Sequence, residues 1–123
     1  MIFFRGPFKL NHMVQYPPSL DRAFSALSDP TRRGILVRLG RGDASITDLA
    51  GQFDMTLTGV KKHVHVLEDA GLVTTQKVGR VRSARLGPRR LQHESEWIEM
   101  YQQMLNDRLN RLEQFLERTR GEE

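Results

Sequence analysis

Apolar residues recur at helical spacing in five stretches, and one stretch of shorter period separates the fourth from the fifth. Leu20, Ala23, Phe24 and Leu27 share one face of a helix predicted over residues 19–27. Ser28-Asp29-Pro30 breaks that helix. Asp29 is suited to cap a second one and Pro30 to occupy its first position, since a proline there removes an N–H that would lack a partner anyway. This helix runs to about residue 39 and buries Ile35, Leu36 and Leu39. Ser45 opens a third helix, with Asp48 three residues on in the manner of a capping box and Ile46, Leu49, Ala50 and Phe53 on its apolar side. Thr56 caps a fourth, which places Leu57, Val60, Val64 and Leu67 on one buried face and stops at Ala70-Gly71.

The period then changes. Residues 72–78 and 81–86 are β-rich and flank Gly79-Arg80, the pattern of a hairpin. Gly87-Pro88 ends the second strand, and a long helix follows from about residue 89 to residue 118. The expected fold is mostly α with a small β-hairpin wing, in the order α-α-α-α-β-β-α. Two short helices joined by a tight turn and followed by a hairpin make a winged helix-turn-helix. Three regions are expected: a flexible arm over residues 1–18, which has no period and closes on Pro17-Pro18; a core over 19–88; and a dimerisation helix with tail over 89–123.

Opposite its apolar face the fourth helix carries Thr58, Lys62 and His65, with Lys61 on the shoulder. Charge is distributed to match. Residues 30–90 hold twelve Lys/Arg against five Asp/Glu, whereas residues 91–123 hold four against eight. A basic middle suits a polyanionic partner such as nucleic acid. Lys62 fits the N7 and O6 acceptors of guanine or a phosphate, Thr58 a thymine methyl or an acceptor, and Thr56 a phosphate through its backbone N–H. In the hairpin, Arg80 and Arg82 could reach the minor groove or its phosphates; the alternative is a solvated tip. For Arg32 and Arg33, backbone contact stands beside solvation or an intramolecular ion pair. Arg5 and Lys9 could touch phosphates from the arm.

The last helix has another use. Trp97, Ile98, Tyr101, Met104, Leu105, Leu109, Leu112, Phe115 and Leu116 form one broad stripe that a small domain cannot cover by itself. Pairing with a second copy would bury it, giving a two-fold homodimer with Phe24 of the first helix as a further contributor.

The segments ALSDPTRRGIL, SITDLAGQFDMTLTGVKKHVHVLEDAGLV and VGRVRSARL, in that order, resemble the ArsR-type (ArsR/SmtB) winged helix-turn-helix repressors of bacteria. The resemblance covers residues 20–87 and, more loosely, the last helix. It implies a homodimeric transcriptional repressor bound to a pseudo-palindromic operator on double-stranded DNA. Lys61 stands where the family often has Ser, and a phosphate contact is expected there instead. His63 matches the family's histidine and is read as a packed, hydrogen-bonded residue at the edge of the core.

Many relatives sense metals through cysteines on the third helix. This chain has no cysteine, and Thr47, Asp48 and Gln52 do not replace them. On the last helix only His93, Glu94 and Glu96 offer ligand atoms, and His63 and His65 diverge, so no metal and no cofactor are expected. Two alternatives stand for control: an organic effector near Trp97, Met100 and Met104, or no effector, with occupancy set by protein concentration. A Met and aromatic cluster at helical spacing is more often plain core, which favours the second. No catalytic constellation occurs, so no enzyme is expected. No apolar run is long enough for a membrane span, and a cytoplasmic protein is expected. The competing class is a winged helix serving as a protein–protein or RNA-binding adaptor. Such an adaptor would more often be neutral or apolar at Thr58, Lys61, Lys62 and His65.

Overall fold

The computed structural model describes residues 2–3 and 15–121 and divides into two units, Met1–Leu91 and Gln92–Glu123. In the first unit, α1 (Pro18–Leu27), α2 (Pro30–Leu39), α3 (Ile46–Gln52) and α4 (Leu57–Asp69) are followed by the hairpin β4 (Val73–Val78) and β5 (Val81–Leu86). Three short strands complete the unit, and none follows from periodicity. β1 (Ile2–Phe3) pairs antiparallel with β2 (Gln15–Tyr16). β3 (Ala44–Ser45) pairs antiparallel with β5, so the wing is a three-stranded sheet of order β3-β5-β4. The arm expected over residues 1–18 lies mostly outside the described residues, with Arg5 and Lys9 among those not described, but Tyr16 within it is buried.

Three helices, α2, α3 and α4, start at side-chain caps. Asp29 accepts the N–H of Arg32, Ser45 that of Asp48 and Thr56 that of Gly59, so three otherwise unpaired amide groups find side-chain oxygens. α3 and α4 end alike. Asp54 and Gly71 adopt left-handed conformations, with φ of 51° and 78°. In each case the next residue turns its N–H back onto the last turn, Met55 to the Ala50 carbonyl and Leu72 to the Leu67 carbonyl. The first of these closures is the turn of the helix-turn-helix. The second sends the chain from α4 into the wing.

Leu20, Ile35, Leu49, Val60, Leu67 and Val73 are fully buried, one or two from almost every element. The core therefore sits where α2, α3 and α4 meet the inner face of the sheet. β3 exists because Ala44 and Ala84 face each other there, both buried and small enough for close strand approach. One expectation for α4 fails. Val60, Val64 and Leu67 are buried, but Leu57 is 47% exposed. It stands at the first helical position, a turn ahead of the point where α4 reaches the core.

The last helix starts later than its apolar pattern suggests, at Gln92 rather than near residue 89. Residues 87–91 are used to close the first unit. Gly87 donates its N–H to the Leu72 carbonyl, Arg89 donates to the Ala70 carbonyl at the end of α4, and Leu91 has φ 56°. A Cβ at Gly87 would stand 2.6 Å from the Gly71 carbonyl oxygen, so only glycine fits this crossing. The second unit is α5 (Gln92–Gly121), about 45 Å long at 1.5 Å per residue. Trp97 and Tyr101 stack on it with ring centroids 5.5 Å apart. No helix among the described residues is long and apolar enough to cross a membrane.

Candidate nucleic-acid interface

The first helix pair fixes the rear of α4. The last carbonyls of α1 lack partners within the helix; Ser28 bonds that of Ser25, and two arginines of α2 reach the same end. Arg32 donates through Nε to the Ala26 carbonyl and through Nη2 to that of Ser25, and Arg33 donates through Nη1 to that of Leu27. A cation is favoured at that end of a helix dipole. Both guanidinium groups are therefore engaged within the chain as helix caps, Arg33 through one bond while staying exposed.

Arg32 Nη1 also lies 3.3 Å from His63 Nδ1. His63 is thus held at the edge of the core, 3.9 Å from the Asp29 carboxylate. The Asp29 carboxyl titrates below its ordinary 3.8, first because it accepts the Arg32 N–H and further through the nearby His63 and Arg32 charges. A depressed folded value means that this cap stabilises the fold above the ordinary carboxylate range and loses its effect as pH falls through the folded value. Asp29→Ala is expected to lower Tm by about 4 °C at pH 7. The gap should close at a pH below the folded value, where the wild-type carboxyl is protonated too. Thermal melts of both proteins across pH 2.5–7 check this.

The outer face of α4 is open. Thr58, Lys61, Lys62 and His65 are all exposed, on the side away from Val60, Val64 and Leu67. Among the described residues Lys61 and Lys62 have neither hydrogen-bond nor ion-pair partners. The Thr56 hydroxyl is occupied by its capping bond to Gly59 N, 3.1 Å long, which leaves the first-turn amides facing outward. His65 lies 3.3 Å from Asp69 one turn on, an exposed pair that orients its ring along the helix.

The wing adds cations beside this face. Hairpin register sets Lys77 directly opposite Arg82, and Val78 opposite Val81, across the Gly79-Arg80 turn. Like charges directly across a strand pair repel. Arg82 is restrained by a bond to Thr75 Oγ1, and Thr75 in turn donates to Glu68 of α4, at 2.9 and 2.8 Å. That relay ties the wing to α4. Arg80 is exposed at the tip. An open groove between wing and helix is lined by Lys61, Lys77, Arg80 and Arg82 together with Thr47 and Asp48 at the start of α3. The structure thus brings together Lys61, Arg80 and Arg82, and adds Lys77, whose place opposite Arg82 follows from counting residue by residue outward from the two-residue turn. Among the described residues there is no group of three or more metal-ligating side chains.

A family model for a helix-turn-helix domain matches residues 27–76. The transcriptional repressor SdpR of Bacillus subtilis is 30% identical over 79 residues, which are 64% of this chain and 88% of that protein. The HTH-type transcriptional regulator Rv2034 of Mycobacterium tuberculosis is 39% identical over 70 residues, 57% of this chain and 65% of that protein, so the chain spans just under two thirds of its length. Among solved structures, a crystal structure of an ArsR family transcriptional regulator superposes with a TM-score of 0.68 at 42% identity, covering 76% of this chain and 97% of the other. The homodimeric winged helix-turn-helix DNA-binding domain of Mb0332 from Mycobacterium bovis shares the fold at 22% identity, with a TM-score of 0.55 and coverage of 74% and 82%. Together with the wing and the capped helix pair, these likenesses place the chain in the ArsR family of winged helix-turn-helix transcriptional regulators.

Proposed function

We propose that the chain is a homodimeric repressor that binds a pseudo-palindromic DNA operator, with α4 in the major groove and the wing on the flanking backbone. The observation that carries this reading is the outer face of α4, where Lys61 and Lys62 are exposed and unpartnered among the described residues beside Thr58 and His65. Cations on such a face neutralise phosphates and reach the acceptor edge of guanine. Arg80 and Arg82 serve the wing's contact, and Thr56 contributes the first-turn amides to a phosphate. The repulsion between Lys77 and Arg82 would be relieved by an anion. Repression itself is the activity for which SdpR is named.

Pairing of two chains is supported by α5. Tyr101 and Leu105 are 42% exposed, and Leu109, Leu112 and Leu116 are at least half exposed. The stripe also has a strict repeat: Ile98, Tyr101, Met104 and Leu105 return eleven residues later as Leu109, Leu112, Phe115 and Leu116. An eleven-residue repeat keeps an apolar seam almost parallel to the helix axis, with a slight right-handed lean, over its whole length. Trp97, Tyr101, Met104, Leu105, Leu109, Leu112 and Leu116 would form the seam, with Phe24 of α1 as a further contributor. Mb0332, described as homodimeric, is a precedent for that assembly in this fold. A two-fold dimer offers one α4 to each half-site, with half-site centres about 34 Å apart.

A gel shift on the DNA upstream of the chain's own gene tests the reading. The expected result is a retarded complex whose log K falls with log salt by about 0.9 for every phosphate neutralised. No shift, or a complex indifferent to salt, would favour the protein-binding adaptor instead.

A further inference from the structure

We propose that Leu57 reads a thymine methyl group in each half-site, adding base specificity to a face otherwise made of cations and hydroxyls. The inference deepens the DNA-binding reading of α4 and rests on it. Leu57 occupies the first position of α4, next to the capping Thr56, and is 47% exposed. Residues in the first turn of a reading helix are the ones that reach base edges. Its surroundings determine what can cover it. Leu57 lines the same groove as Lys61, Lys77, Arg80 and Arg82, whose cations outnumber Asp48; of the other apolar members, Ile46 is buried in the core and Val81 is exposed. An apolar protein partner would have to desolvate four cations to reach it, whereas a polyanion is drawn to them. In the major groove of DNA the apolar group on a base edge is the C5 methyl of thymine. A leucine there gains contact with that methyl. It also discriminates against cytosine, whose amino group would be left without an acceptor.

Thr58 carries a methyl as well, and the test must separate the two. The probe is a duplex recovered by the wild-type protein from a random-sequence pool, remade with each thymine replaced singly by deoxyuridine, which removes only the methyl. One position in each half-site is expected to lose about fourfold in affinity, the effect of burying one methyl group. That loss should vanish in Leu57→Ala and persist in Thr58→Ser. If Leu57→Ala binds too weakly to titrate, selection with Leu57→Asn decides instead, the thymine at that position giving way to adenine. The proposal is overturned if the wild type is indifferent to every deoxyuridine, if Leu57→Ala keeps the same loss, if the loss follows Thr58, or if Leu57→Asn still selects thymine. Failure of the wild type to enrich any sequence would appear before a thymine is altered. That result would bring down the DNA-reading assignment of α4 and this inference with it.

Discussion

Lys61→Ala combined with Lys62→Ala is expected to abolish operator binding while leaving fold and oligomeric state unchanged. Both side chains point away from the core formed by Val60, Val64 and Leu67, and neither has a partner among the described residues whose loss would loosen α4. Each lysine can form a charge-assisted bond to phosphate or guanine, worth about 1.5–3 kcal/mol. The pair therefore contributes about 3–6 kcal/mol per half-site, and affinity should drop by at least ~10³-fold. Circular dichroism and sedimentation should match the wild type, and the residual binding should show a flatter salt dependence. If the double variant bound its operator as tightly as the wild type, α4 would not be the reading helix. Ile46 and Leu49 anchor α3 in the core, but its exposed Thr47 and Asp48 would then need examination as the contact surface.

Leu105→Glu combined with Leu112→Glu is expected to yield monomers that bind DNA about 10²–10⁴-fold more weakly. Burying a leucine contributes about 1.5–3 kcal/mol, and a two-fold seam contains both residues twice. Losing four such contacts and introducing four carboxylates into an apolar strip exceeds what a small dimer can tolerate. The weaker DNA binding follows from separating the half-sites, because linkage in the dimer makes the second contact intramolecular. Analytical ultracentrifugation at micromolar concentration gives the first readout and a gel shift the second. A variant that still sediments as a dimer would remove α5 from the interface. The stripe would then need another occupant, since Leu109 stands 62% exposed in the single chain.

What could be read from the residues was mostly local. The caps at Asp29, Ser45 and Thr56 depend on groups three residues apart, and the structure has all three bonds. The ends of α2 and of both hairpin strands follow equally from neighbouring glycines and prolines. What the sequence hid depends on distant partners. β3 is two residues long and has no period of its own; it is a strand only because Ala84 lies opposite Ala44. α5 begins late because Gly87, Arg89 and Leu91 are occupied with Leu72 and Ala70, whose proximity is a property of the closed fold. For Arg32 and Arg33 the sequence leaves DNA contact, solvation and an intramolecular ion pair open, and their engagement with α1 carbonyls depends on how α1 and α2 turn against each other. Leu57 is the instructive case at the site. Helical spacing puts it in line with Val60, Val64 and Leu67, but periodicity records direction around the axis and not how far along it the core extends. The Lys77–Arg82 opposition was within reach, because a two-residue turn fixes the register of the strands beside it.

Selection of bound fragments from a random duplex pool by the purified full chain decides whether two copies read DNA together. Two paired copies reading DNA through α4 predict one enriched motif made of two inverted half-sites, centred about one helical turn apart. Recovery of a single unrepeated half-site, or of no motif at all, would contradict the paired-reader account.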